Sequence, residues 1–147
     1  MTYATAAARE LRIEAERHLD APIEDVWEAV LEEVGPGFPG EDGKPISLEL
    51  EAWPGGRWFR NLGEATGHLW GHVQAIKAPG LLEISGPLFM SLPVANNIQY
   101  RLEATESGTH LRFVHGAFGP IPEDWDEGME EGWGDHLDRI GRHFGSD

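Results

Sequence analysis

A chain of 147 residues with 40% hydrophobic content has the length of one ordinary domain and can bury a core without staples, and its lack of cysteine excludes disulfides, thiolate nucleophiles and thiolate metal sites. The formal charge of −15, from 26 acidic against 11 basic residues, makes nucleic acid and anionic membrane surfaces poor partners. No apolar run approaches the roughly 20 residues that span a bilayer, and no basic start precedes an apolar stretch. The expectation is one cytoplasmic domain over residues 1–147, with the small, polar Met1 to Ala8 as a frayed tail.

From Glu10 to Arg17 the chain alternates, with Leu11, Ile13 and Ala15 on one face and Arg12, Glu14 and Glu16 on the other, which predicts a half-buried strand. Asp20-Ala21-Pro22 then carries a helix start, with Asp20 as an acidic cap and Val26, Trp27, Val30, Leu31 and Val34 at helical spacing before Gly35-Pro36-Gly37 ends it. The Gly- and Pro-rich segment up to Pro45 predicts a loop whose large apolar residue, Phe38, is placed to close one end of a cavity. Ile46, Leu48, Leu50 and Ala52 alternate with polar residues, and Pro54-Gly55-Gly56 turns the chain into Arg57 to Arg60 as a hairpin.

Further strands are predicted over Thr66 to Ile76, Leu81 to Ser85, Ala95 to Glu103 and His110 to Phe118. Turns fall at Ala78-Pro79-Gly80 and Glu106-Ser107-Gly108. The loop Gly86 to Pro93 carries Leu88, Phe89 and Met90, which predicts either a lid over something apolar or packing on the sheet rim. In the last quarter Trp125, Met129, Trp133, Leu137, Ile140 and Phe144 recur every three or four residues, one apolar stripe of a long helix. Strand, helix, about six strands and a long helix make an α+β layer, with helix covering one face of an antiparallel sheet.

The acidic run Glu123, Asp124, Asp126, Glu127, Glu130, Glu131 and Asp135 is read as a solvated face that complements a helix N-terminus, with a docking face for a basic partner or a metal site as the alternative. His68 and His72 share a strand face with Trp70, but no third ligand recurs nearby, so no metal is assigned and both are expected on the wet side with Trp70 exposed between them. By parity Ile98, Tyr100 and Leu102 share a face, as do Leu111, Phe113 and His115, and both sets should point at the helix stripe. His115 then has two readings: a general acid/base or ligand anchor with Tyr100, Asn96 and the acidic helix start in reach, or a group that satisfies a backbone carbonyl. His110, His136 and His143 are read as facing solvent. No nucleophile elbow and no Gly-rich phosphate loop is present, and no cofactor is called for.

With Ala21-Pro22 followed by Val26-Trp27, Glu51 before Pro54-Gly55-Gly56-Arg57, Gly71 with Val73, Thr109, Leu111, His115, Gly116 and Phe118, then Gly132-Trp133 and Leu137, the chain resembles the START/Bet v 1-like (SRPBCC) superfamily. The similarity, to the branch related to the C-terminal domain of the activator of Hsp90 ATPase, runs from Leu11 to Phe144. It departs from relatives that carry Asp, a variable residue and Arg before the turn, since Glu51, Ala52 and Trp53 stand there.

The resemblance implies a helix-grip fold, a curved antiparallel sheet of six or seven strands wrapped around the C-terminal helix, with a cavity between them for an apolar molecule. The lining expected from parity and position is Phe38, Phe89, Met90, Asn96, Ile98, Tyr100, Phe113, His115, Met129, Trp133 and Leu137. The leading expectation is binding of a small hydrophobic ligand. The alternatives are an enzyme of hydrolase, cyclase or dehydratase type using His115 with Tyr100 or Asn96, and a protein-interaction module working through the acidic helix or Trp70. The latter includes a homodimer or, as the family's relation suggests, a chaperone partner.

Overall fold

The computed structural model describes residues 6–145. The frayed-tail expectation for Met1 to Ala8 lies mostly outside them. The elements are β1 (Arg9–Leu19), α1 (Ile23–Val34), β2 (Leu48–Leu50), β3 (Arg57–Gly63), β4 (Thr66–Lys77), β5 (Leu81–Gly86), β6 (Ala95–Thr105), β7 (Gly108–Gly119) and α2 (Asp126–Arg142), the last preceded by a 3₁₀ turn at Glu123–Trp125. The seven strands form one sheet in the order β1-β7-β6-β5-β4-β3-β2, antiparallel throughout. The first strand therefore pairs with the last, and both helices pack on the inner face.

Period-two alternation explains the central strands. In β7 the inward residues Thr109, Leu111, Phe113, His115 and Ala117 are buried, and in β6 Asn96, Ile98, Tyr100 and Leu102 are buried opposite them. The outward face carries charge ladders instead. Glu14 accepts from both Arg12 and Arg112, and His110 pairs with Glu16. The strands bend through bulges at Trp58/Phe59, Asn61/Gly63 and Val73/Ala75, each of which adds local twist and helps the sheet curl around α2.

One of those bulges corrects an expectation. Trp58 pairs with Gly71 but Phe59 pairs with Leu69, so Trp70 is the extra residue of β4 and turns inward, where it is 5% exposed. Strict alternation had placed it on the exposed face between two histidines. Trp70 is thus not available to a docking partner.

The start of α1 also differs. Asp20 does not cap it: the helix begins after Pro22, whose carbonyl accepts from Asp25 and Val26, and no side chain bonds the first turn. Pro22 occupies the cap position because its missing N–H is one the helix start would leave unpaired anyway. At α2 the start is secured from outside. Arg9 donates from Nε to the Ile121 carbonyl, and from its terminal nitrogens to the Pro122 carbonyl and both carboxylate oxygens of Asp126.

Candidate functional site

Between the inner face of the sheet and α2 lies a block of rings rather than a void. Phe113 touches Trp133 and Tyr100, at centroid separations of 4.6 and 5.1 Å. Trp58 and Trp70 meet edge-on at 5.0 Å, and Phe38 lies edge-on to Trp70 at 5.3 Å. Ile98, Leu137, Met129 and Met90 are buried around them. The space expected to be a cavity is occupied by the chain's own side chains. Two open depressions lie instead on the outer side of the sheet, one of about 750 Å³ around Ala95, Asn97 and Phe118 and one of about 620 Å³ around Phe59, His68 and Leu69.

Two buried polar clusters cross from sheet to helix. In the first, Nε2–H of His115 on β7 donates to Oδ1 of Asn96 on β6 at 2.8 Å, and Nε1–H of Trp133 on α2 donates to Nδ1 of His115 at 3.0 Å. Because an amide oxygen only accepts and an indole N–H only donates, these partners set one neutral tautomer. Asn96 spends its own N–H groups on the β5–β6 loop, reaching the Pro87 carbonyl and Met90 Sδ. Burial lowers the His115 pKa to about 4, so the ring is uncharged at neutral pH.

The second cluster joins Tyr100 to His136, with hydroxyl and Nε2 2.8 Å apart. His136 is 1% exposed, which corrects the expectation that it faces solvent. It stands three residues after Trp133 and four before Ile140, inside the apolar stripe, and that spacing is the signal that could have found it. Burial, and secondarily the nearby Arg139 guanidinium, lower its pKa to about 3. Desolvation raises that of Tyr100. Tyr100 is therefore engaged with His136, while Asn96 and Trp133 occupy both nitrogens of His115. The helix-start carboxylate Asp126 is held by Arg9 and lies below the usual range because of that bond.

Two polar atoms in this region stand out. Trp70 Nε1 and His136 Nδ1 are buried without a hydrogen-bond partner among the described residues. Leaving a buried donor or acceptor unpaired costs about 1–3 kcal/mol, which makes each an unusual feature of a native core. Phe38 packs against both rings, 5.3 Å from Trp70 and 5.7 Å from His136.

The rim of the site is formed by loops. Phe38 comes from the α1–β2 connection and is partly exposed, while Phe89 comes from the β5–β6 connection and is 41% exposed. Leu88 and Met90, on either side of Phe89, are buried, so that loop is anchored on both flanks with one ring left at the surface. Phe89 lies edge-on to Trp70 at 5.8 Å and tilted on Trp133 at 6.3 Å. Among the described residues no group of three His, Asp or Glu side chains is placed to hold a metal ion.

Seven antiparallel strands curled about one long C-terminal helix, with a helix inserted after the first strand, define a helix-grip domain of the START/Bet v 1-like superfamily. More narrowly, the chain belongs to the family described as Activator of Hsp90 ATPase homolog 1-like protein, whose model matches residues 20–145. Solved structures share the fold. A protein from Rhizobium leguminosarum is 21% identical, with 92% of this chain and 94% of that one covered and a TM-score of 0.72. Protein MLL2253 from Mesorhizobium loti is 18% identical, with 90% and 95% covered and a TM-score of 0.70. CalU16 from Micromonospora echinospora is 24% identical, with 91% and 73% covered and a TM-score of 0.59. A search of curated proteins finds no significant match.

Proposed function

We propose that the protein binds a small, largely apolar molecule against α2 and the inner face of the sheet, admitted by displacement of Phe38 and Phe89. The observation that carries this reading is the shared packing of those two loop-borne, partly exposed rings on one buried indole, Trp70. Rings on loops leave at less cost than rings on strands, because few backbone contacts move with them. The guest takes over the aromatic surface they cover, and the architecture is that of a ligand-binding domain, which supports the same reading. Turnover at His115 has weaker support, since both of its ring nitrogens are committed to structural partners.

Equilibrium dialysis with 2-ethylnaphthalene, alongside quenching of tryptophan fluorescence, tests the proposal. Saturable binding to a single site is expected, and it should tighten in Phe38→Ala, where the competing side chain is gone. Absence of saturable binding to both wild type and Phe38→Ala overturns it.

A further inference from the structure

The unpaired atoms of the two buried rings on which Phe38 packs define the chemistry of the guest. An indole Nε1–H can only donate. For His136 the tautomer follows from Tyr100. If the imidazole Nε2–H donated to the phenol oxygen, the buried Tyr100 O–H would itself lack an acceptor, as no other partner of that hydroxyl occurs among the described residues. Tyr100 O–H therefore donates to Nε2, and His136 carries its proton on Nδ1. Trp70 and His136 thus present two neutral donors, both packed on the Phe38 ring.

We infer that, once Phe38 has moved aside, Trp70 Nε1–H and His136 Nδ1–H receive the oxygen of a neutral, flat carbonyl compound of the aryl ketone type. This rests on the ligand-binding reading above and names the ligand class for that site. Flatness follows from the space vacated, which is that of a single ring lying edge-on to Trp70 at 5.3 Å and to Trp58 at 6.4 Å. Neutrality follows from the donors and their surroundings. The nearby guanidinium of Arg139, which acts on His136, already has a carboxylate partner in Glu33, whose Oε1 lies 3.6 Å from its Nε, so a buried anion would compete with Glu33 for it whereas a neutral oxygen would not.

The test compares 2-acetylnaphthalene with 2-ethylnaphthalene, molecules of similar shape of which only the first has a carbonyl oxygen. In wild type the ketone is expected to bind roughly tenfold more tightly, as two neutral hydrogen bonds would provide. In Trp70→Phe the ratio should fall towards unity while the hydrocarbon still binds. Because that variant removes a core indole, a second measurement uses the wild-type protein. The Trp70 Nε1–H resonance in ¹⁵N-labelled protein should shift with the ketone and not with the hydrocarbon. Equal affinities for the two compounds, or an indole resonance indifferent to the ketone, overturn the inference and leave the ligand-binding reading standing. Failure of both compounds to bind wild type and Phe38→Ala removes that reading, and the inference with it.

Discussion

The indole of Trp133 donates to Nδ1 of His115 across 3.0 Å, which ties the middle of α2 to the inner face of β7 through two buried side chains. Trp133→Phe keeps a ring in the core and removes the donor, leaving an imidazole nitrogen unpaired. A loss of about 1–3 kcal/mol in unfolding free energy is expected, read from urea denaturation. In a double-mutant cycle with His115→Phe the two losses should be non-additive by more than about 0.5 kcal/mol. Strict additivity would show that the bond is not formed.

Acid should weaken the fold before its carboxylates titrate. Burial places His115 at about 4 and His136 at about 3, below the 6.5 of an accessible imidazole. As pH falls below 6.5 the unfolded chain takes up protons at both positions and the folded chain does not. The stability these groups contribute is full above pH 6.5 and is lost on acidification towards pH 4, at up to about 1.4 kcal/mol per pH unit for each. Urea midpoints at pH 7 and pH 5 should differ accordingly, and matching midpoints would refute the assignment of both rings as buried neutral groups.

The turn at Pro54-Gly55-Gly56 separates two uses of glycine. Gly55 has φ of +84° with open space around it, whereas a Cβ on Gly56 would collide with the Glu51 carbonyl oxygen. Gly55→Ala should cost about 1–2 kcal/mol from backbone strain alone. Gly56→Ala must shift main chain and should cost more than about 3 kcal/mol. Thermal unfolding of the two variants orders them, and equal midpoints would count against the observed turn geometry.

Arg9 anchors the entrance to α2 through the Ile121 and Pro122 carbonyls and Asp126. In Arg9→Met, amide hydrogen exchange should accelerate in residues 121–129 while the centres of β6 and β7 stay protected. Unchanged exchange at the helix start would mean that the helix is held by its apolar face alone.

Removing a rim ring should be cheap and removing an interior ring costly. Phe113→Ala deletes a wholly buried ring and is expected to lose about 3–5 kcal/mol, whereas Phe38→Ala, at a partly exposed position, should lose roughly 1 kcal/mol. Comparable losses would show Phe38 to be core rather than plug.

The sequence disclosed the elements because their signals are local. The alternation in Leu11, Ile13 and Ala15, the Pro22 start, the Gly35 stop and the three-and-four spacing of Met129, Trp133, Leu137 and Ile140 each depend on residues a few positions apart. The inward placing of Tyr100, Phe113 and His115 followed from the same parity, and Asn96 beside His115 from the same face of the sheet. Two site residues were misplaced, for different reasons. Trp70 turned inward through a bulge, which shifts parity by one residue and leaves no mark in the alternation itself. His136 sat within the stripe all along, but a histidine among carboxylates reads as polar until a Tyr100 hydroxyl is brought to it from another element.

By itself the sequence determined the strand and helix periods, the turns and the family, since each is written in neighbouring residues or in their order. Only the tertiary structure decided which polar atoms pair, how the sheet bends through its bulges, and that Phe38 and Phe89 converge on Trp70. Those outcomes depend on how closely separate elements approach, and local periodicity carries no term for the distance between a loop and a strand.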